Sequence, residues 1–278
     1  MGIFDNILLL SDYDGTLTGS DGKIPERNIK AIRYFISEGG RFTVSTGRTK
    51  IGFHKYSEDI INAPVILGNG AMAFDYKRNE VCFTNAIKKE SIPVLNKILE
   101  DNPWVCMELY SVDDKAYVIN KNEESVRHFR GLEISHYNEI TELSEDFFPM
   151  VKIMLSTGKR SLGIQKYLDG VLPDFIKYIP CQGSYVEILA QEAGKGNALF
   201  QTAGILGIEA CNAFAVGDGS NDIDMLEAAH ISFVPSSGDE KALASAGKVV
   251  CSSDEGAVAD AIEYLEKCCL RKGNHCPF

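Results

Sequence analysis

Short apolar runs recur toward both ends of the chain, each closed by a glycine or a polar cluster. Residues 7–11, with Leu8-Leu9-Leu10 at their centre, read as a buried strand that Asp12 terminates. A helix is expected over 25–38. Pro25 stands near its start, Ile29, Ile32, Phe35 and Ile36 recur at helical spacing, and Gly39-Gly40 stops it. Further strands are expected over 42–45 and 65–67, the latter closing at Gly68-Asn69-Gly70. The rhythm resumes near the C-terminus, with helices over 195–206, 223–229 and 256–270 and strands over 213–216, 231–234 and 248–251. Short apolar strands alternating with helices predict an α/β fold whose parallel sheet is covered on both faces.

Between roughly 81 and 185 the texture changes. Charged and aromatic residues rise, turns rich in Asn, Asp and Glu intervene (Asp113-Asp114, Ser144-Glu145-Asp146), and strands over 116–119 and 151–155 alternate with helices. This stretch reads as an α+β domain inserted into the sheet domain. The expected division is 1–82 with 186–278 for the sheet domain and 83–185 for the insertion.

The chain has 278 residues and a formal net charge of -11, which disfavours a nucleic-acid or anionic-membrane partner. A small anionic substrate stays compatible with that charge if a metal or local cations reverse the field inside the site. No apolar run approaches the roughly 18 residues needed to cross a membrane, and the N-terminus lacks a secretory pattern. A cytoplasmic protein with reduced thiols is therefore expected. Cys82, Cys106, Cys211 and Cys251 lie in or beside apolar strand-like segments and are expected in the core. Cys268, Cys269, His275 and Cys276 match no zinc-site spacing and read as a frayed tail. The sequence carries no signal of oligomeric state.

Four polar clusters fall at expected strand ends or helix starts, where doubly wound sheets place ligands. The first is Asp12-Tyr13-Asp14-Gly15-Thr16. A spacing of two would put both carboxylates on one side if the strand continued, and such neighbours need a cation, a shared proton or hydrogen bonds. The second, Ser45-Thr46-Gly47-Arg48, offers a hydroxyl and backbone N–H groups as an anion cradle. In the third, Lys195 stands between Gly194 and Gly196 at a helix start, from where its ammonium could neutralise phosphate. The fourth, Gly217-Asp218-Gly219-Ser220-Asn221-Asp222-Ile223-Asp224, is too acidic for helix capping alone and suits a metal.

Together these motifs resemble the haloacid dehalogenase superfamily, in its Cof-like sugar phosphatase branch with a large inserted cap. Asp-Tyr-Asp-Gly-Thr-Leu-Thr is similar to the family's first motif, Ser-Thr-Gly-Arg to its second, Lys195 to its third and Gly-Asp-Gly-Ser-Asn-Asp to its fourth. The turn at Gly68-Asn69-Gly70-Ala71 and the segment Tyr185-Val186-Glu187-Ile188 also resemble that branch. The resemblance implies a Rossmann-like doubly wound parallel sheet core with an inserted α+β cap domain of type C2. It implies Asp12 as nucleophile and Asp14 as general acid/base, with Thr46, Gly47, Lys195 and Asn221 binding phosphate. Mg2+ would be held by the Asp12 carboxylate, the Asp14 carbonyl and Asp218, with Asp222 just behind them.

Physical chemistry agrees with such an assignment. Phosphate monoester hydrolysis is among the slowest uncatalysed reactions, and charge repulsion between a carboxylate and the ester must be offset. The expected activity is Mg2+-dependent hydrolysis of a small phosphorylated metabolite, such as a sugar phosphate, through an aspartyl-phosphate. A phosphomannomutase-like phosphotransferase and a catalytically idle phosphosugar-binding regulator are the alternatives. Specificity is expected from cap residues, for which Tyr110, Trp104, His128, Arg130 and His136 have suitable chemistry.

Overall fold

A computed structural model describes residues 2–181 and 183–271, so His275 and Cys276 of the C-terminal Cys/His group lie outside the described residues. The chain begins with β1 (Leu8–Asp12), α1 (Glu26–Ser37), β2 (Arg41–Ser45), β3 (Val65–Leu67), β4 (Met72–Asp75) and β5 (Glu80–Thr84). It continues through α2 (Ile92–Asp101), β6 (Cys106–Ser111), β7 (Ala116–Ile119), α3 (Glu123–Gly131), β8 (Asn138–Glu139), β9 (Met150–Ser156), α4 (Ser161–Val171), β10 (Ile176–Pro180) and β11 (Tyr185–Ala190). It ends with α5 (Lys195–Leu206), β12 (Ala213–Val216), α6 (Ile223–Ala228), β13 (Ser232–Pro235), α7 (Glu240–Ala244), β14 (Lys248–Val250) and α8 (Ala257–Arg271).

These elements form two compact units. The first comprises the chain up to Gly47, Lys55–Phe83, and the chain from Gly194 onward. Its sheet has the order β14-β13-β12-β1-β2-β3-β4-β5. The six strands from β14 to β3 are parallel, and β4 turns back antiparallel on β3. The order reverses beside β1, which is the switch point of a doubly wound sheet. Leu8 and Leu10 face α5 and α6 with Ile66, Ala213 and Ala215, while α1 and α8 pack on each other. Alternation along strands buried on both faces explains why they read as continuous apolar runs. Each fully buried leucine contributes about 1.5–3 kcal/mol.

The second unit comprises Arg48–His54 and Thr84–Ala193. Its sheet has the order β10-β11-β9-β6-β7-β8, antiparallel except for the β7–β8 pair. The expected boundary at 185/186 is corrected here: β11 pairs with β9 and β10, so Tyr185–Ala190 belongs to the insertion's sheet. Helix α3 is started by Asn122, whose side chain accepts from the Ser125 N–H at 2.9 Å. The segment Arg48–His54 joins this unit locally, because Ile51 packs on the cluster around Tyr110 and Phe129 and Lys50 pairs with Asp114 at 3.2 Å.

Burial corrects the cysteine expectation. Cys106 is fully buried, whereas Cys82, Cys211 and Cys251 are only partly so. Cys82 lies on β5, an edge strand, and Cys211 precedes β12 rather than entering it. No helix among the described residues is long and apolar enough to cross a membrane.

Candidate active site

Strand β1 stops at Asp12, and Tyr13–Leu17 fold into one irregular turn. Gly15 takes φ 88° in that turn, and a Cβ there would lie 2.7 Å from Asp218 Oδ2, so both the backbone angle and the space require glycine. The two carboxyls therefore part company: Asp12 is buried and Asp14 is exposed. The shared side expected from strand alternation is not realised, because the strand does not continue past Asp12.

Asp12 meets Lys195, which α5 delivers from its first position. Gly196 permits this placement. A Cβ at Gly196 would lie 2.3 Å from the Asp224 carbonyl oxygen, and its N–H donates to Asp224 Oδ2 at 3.0 Å. The start of α5 is thus pressed against the start of α6. Lys195 Nζ donates to Asp12 Oδ1 and to Asp222 Oδ1, each at 2.6 Å. The other Asp222 oxygen accepts the N–H groups of Asp218 (3.0 Å) and Gly219 (2.9 Å), which shapes the turn carrying Asp218. Asp218 Oδ1 accepts from the Thr16 hydroxyl at 2.5 Å, tying the fourth cluster to the first.

Charge distribution here is unbalanced. Carboxylate oxygens of Asp12, Asp218 and Asp222 lie within 4.8 Å of one another around the single Lys195 ammonium. Burial pushes the Asp12 carboxyl well above the usual range; Lys195 opposes that shift and Asp222 adds to it. Burial likewise raises Asp218, partly countered by the Thr16 hydroxyl. Burial works against the Lys195 charge too, but Asp12 and Asp222 outweigh it and hold its pKa above the ordinary lysine value. An all-oxygen, buried and electron-rich donor set of this kind fits a small hard divalent cation. Asp12, Asp218 and Asp222 could hold one together; both Asp222 oxygens are already engaged, whereas Asp12 and Asp218 each use one oxygen, on Lys195 and Thr16 respectively.

On the neighbouring side, β2 ends at Ser45 and Thr46 follows fully covered, its N–H donating to the Ile66 carbonyl at 2.9 Å. The Asn69 N–H donates to the Thr46 carbonyl at 3.0 Å, and the Gly47 Cβ position lies 3.2 Å from Asn69 Oδ1. Asn221 Nδ2 reaches Asn69 Oδ1 at 3.5 Å. Asn69 therefore joins the second cluster to the fourth, with φ 53° in its turn. Sequence reasoning missed Asn69 and Thr16 as site residues. The Gly-Asn-Gly turn at a strand end was the available signal for the former.

Of the residues considered in the insertion, Tyr110 is buried and His128 and Trp104 are partly so, whereas Arg130 and His136 are exposed.

A doubly wound sheet with carboxyls and a hydroxyl at the ends of β1, β2 and β12, and a lysine at the start of α5, defines a candidate catalytic core of the α/β class. The chain belongs to the haloacid dehalogenase-like hydrolases, whose family model matches residues 9–262. It is 26% identical over 274 residues to endoribonuclease YBEY, chloroplastic, of Arabidopsis thaliana, covering 91% of this chain and 45% of that protein. The chain thus spans less than half the length of that relative. It is 25% identical over 285 residues to 5-amino-6-(5-phospho-D-ribitylamino)uracil phosphatase YwtE of Bacillus subtilis, covering 91% of this chain and 96% of the other. Among solved structures, the HAD subclass IIB sugar phosphatase BT4131 is similar at a TM-score of 0.80 and 22% identity, covering 93% of this chain and 98% of that one.

Proposed function

We propose that this chain is a Mg2+-dependent phosphatase that hydrolyses a small phosphate monoester, with a sugar phosphate as the expected substrate class. The observation that carries the reading is the buried Asp12 at the end of β1, 2.6 Å from Lys195 and grouped with Asp218 and Asp222. Family membership and the phosphatase named among its relatives support it. The endoribonuclease name belongs to a protein more than twice as long, and a net charge of -11 opposes binding of a polyanion.

In this reading a carboxylate oxygen of Asp12 attacks phosphorus and the P–O bond to the leaving alcohol breaks. Asp14, exposed just past the end of β1, gives its proton to the departing oxygen. Water then attacks the phosphoaspartate, Asp14 takes a proton from that water, and the bond from phosphorus to Asp12 breaks to release phosphate. Lys195 stabilises the charge on Asp12 and on the transferring group. Thr46, Gly47 and Asn221 orient that group, and Asp222 holds Lys195 and the 217–219 turn. Mg2+ bound by Asp12 and Asp218, with the Asp14 carbonyl, would neutralise phosphoryl oxygens.

The test is phosphate release from a panel of monoesters with Mg2+, for the native protein and Asp12→Asn. Release by the native protein alone supports the reading. Equal release by a folded Asp12→Asn variant overturns it.

A further inference from the structure

The loop joining β3 to β4 consists of Gly68, Asn69, Gly70 and Ala71. Gly68, Asn69 and Gly70 all take left-handed angles, with φ 59°, 53° and 89°. L residues visit that region singly, and a tight antiparallel turn needs at most two such positions. A run of three, one of them not glycine, is strain that reversing the chain does not require. Strain of this kind persists where the surroundings fix it, and it gathers at functional sites.

The surroundings do fix this loop, on three sides, through residues that all belong to the first compact unit. On the β2 side, the Asn69 N–H donates to the Thr46 carbonyl at 3.0 Å. The Asn69 amide lies along Gly47, whose Cβ position is 3.2 Å from Oδ1 and 3.3 Å from Nδ2. Gly70 is seated against the residue before Lys195. A Cβ on Gly70 would lie 2.1 Å from the Gly194 carbonyl oxygen, the same oxygen that accepts the Ala198 N–H at 3.0 Å as α5 begins. On the third side, Asn221 Nδ2 reaches Asn69 Oδ1 at 3.5 Å. One short loop thus meets the second, third and fourth polar clusters.

The two asparagines differ in freedom. Asn69 is 5% exposed on a fixed backbone, whereas Asn221 is exposed on the turn before α6. An exposed amide side chain rotates unless something holds it, and ordering it at the moment of binding weakens the bond it makes. Here Asn221 Oδ1 lies over Gly219, 2.7 Å from that residue's Cβ position, while Nδ2 turns to Asn69. An amide nitrogen carries two hydrogens, so one bond to Asn69 leaves the other for an acceptor. Hydrogen bonds in catalytic sites are often long before substrate binds and shorten in the complex.

We propose that Asn69 is a positioning residue of the phosphate site, whose Oδ1 holds one hydrogen of the Asn221 amide so that the other is presented to the transferring phosphoryl group. The contact of Gly70 with Gly194 keeps the loop from yielding, so the amide is held against fixed backbone. This rests on the phosphatase reading above and deepens it: Asn69 touches no reacting atom and acts through Asn221.

The experiment is a double-mutant cycle on the full-length protein with Mg2+ and p-nitrophenyl phosphate, comparing native, Asn69→Gly, Asn221→Ala and the double variant. Glycine accepts the left-handed angle, so the loop keeps its path. Asn69→Gly is expected to lower kcat/KM about tenfold, but by less than about twofold when Asn221 is already alanine. Equal losses in both backgrounds, or no loss in the native one, overturn the proposal. Should Asn69→Gly not fold, Asn69→Ser is carried through the same cycle. The side-chain amide resonances of Asn221 give a reading that needs no turnover. They should be displaced from free-asparagine positions in the native protein and move toward them in Asn69→Gly, and resonances that stay unchanged overturn the proposal even if activity falls. Absence of hydrolysis by the native protein defeats the phosphatase reading while the resonances still report on Asn69, so the two failures are distinguishable.

Discussion

Lys195 Nζ lies 2.6 Å from Asp12 Oδ1, and the lysine side chain is wholly removed from solvent. The same ammonium also bonds Asp222, so one cation stands against two buried carboxyls. Removing different members of this group should then have unlike consequences. Lys195→Met leaves both carboxyls without their counter-charge, and a loss of about 3–5 kcal/mol is expected on breaking such a buried pair from one side. Asp12→Asn removes one desolvated carboxyl while Lys195 keeps Asp222. That variant should melt within a few degrees of the native protein yet lose roughly three orders of magnitude in turnover. Thermal denaturation of the two variants beside phosphate-release assays checks the contrast. A stable Lys195→Met protein would contradict it.

Metal binding should be visible without any turnover. Burial raises both Asp12 and Asp218, and a raised carboxyl contributes stability fully present below its unfolded value, lost as pH rises through its folded one. The metal-free protein is accordingly strained by these groups as pH climbs from the unfolded value of 3.8 toward neutrality. Under the proposed function, Mg2+ held by Asp12 and Asp218 would relieve that strain. At about 100 times its dissociation constant it adds roughly 2.7 kcal/mol, which raises Tm by several degrees. The rise should be larger at pH 8 than at pH 5 and should vanish in Asp218→Asn. Melting curves with Mg2+ and with chelator measure it, and an undiminished rise in Asp218→Asn would reject Asp218 as a ligand.

What the sequence revealed and concealed follows from this geometry. Asp12, Thr46 and Asp218 were legible because each polar cluster directly follows an apolar strand, which is where a doubly wound sheet opens its ligand crevice. The strand and helix pattern placed α5 from its first residue. Asn69 was legible only as a turn, being neither acid nor base, because the adjacency of β2 and β3 is what brings it to Thr46. Tyr185–Ala190 alternates as any strand does, so its pattern could not tell which sheet receives it. Arg48–His54 has no periodic pattern at all, and its membership in the inserted unit rests on Ile51 and Lys50 finding partners far along the chain, Lys50 at Asp114 and Ile51 in the cluster around Tyr110 and Phe129.

Asp239 links the acidic turn to the next helix. Its Oδ1 accepts from the Ala242 N–H at 2.7 Å as the cap of α7, and its Oδ2 accepts from the Ser220 hydroxyl at 2.8 Å. The bond from Ala242 is the main reason its pKa lies below the usual carboxylate value. A lowered acid contributes stability present above its unfolded pKa and lost as pH falls through its folded one, so this contribution disappears only below about pH 4. Asp239→Ala should cost about 1 kcal/mol at neutral pH, and Asp239→Asn much less, because asparagine still caps. Denaturant titrations at pH 7 and pH 3 compare them. A native-versus-alanine gap that did not narrow at pH 3 would contradict the ionic share of the cap.

Gly196 offers the sharpest separation of positioning from chemistry. The residue touches no reacting group, yet it sets how close α5 comes to α6 and therefore where Lys195 begins. In Gly196→Ala the new Cβ would overlap the Asp224 carbonyl oxygen at 2.3 Å, and backbone on one side or the other must move. Overpacking of this kind typically costs about 1–3 kcal/mol. Because the displacement acts at the residue following Lys195, catalysis should suffer beyond the stability loss. We expect kcat to drop by about tenfold or more at a temperature where the variant remains fully folded, with KM changing less. Gly204→Ala, on the same helix and with nothing within 4 Å of its Cβ position, is the matched control and should keep native kcat. Native turnover in a folded Gly196→Ala protein would mean that the close approach of the two helices serves packing and not the placement of Lys195.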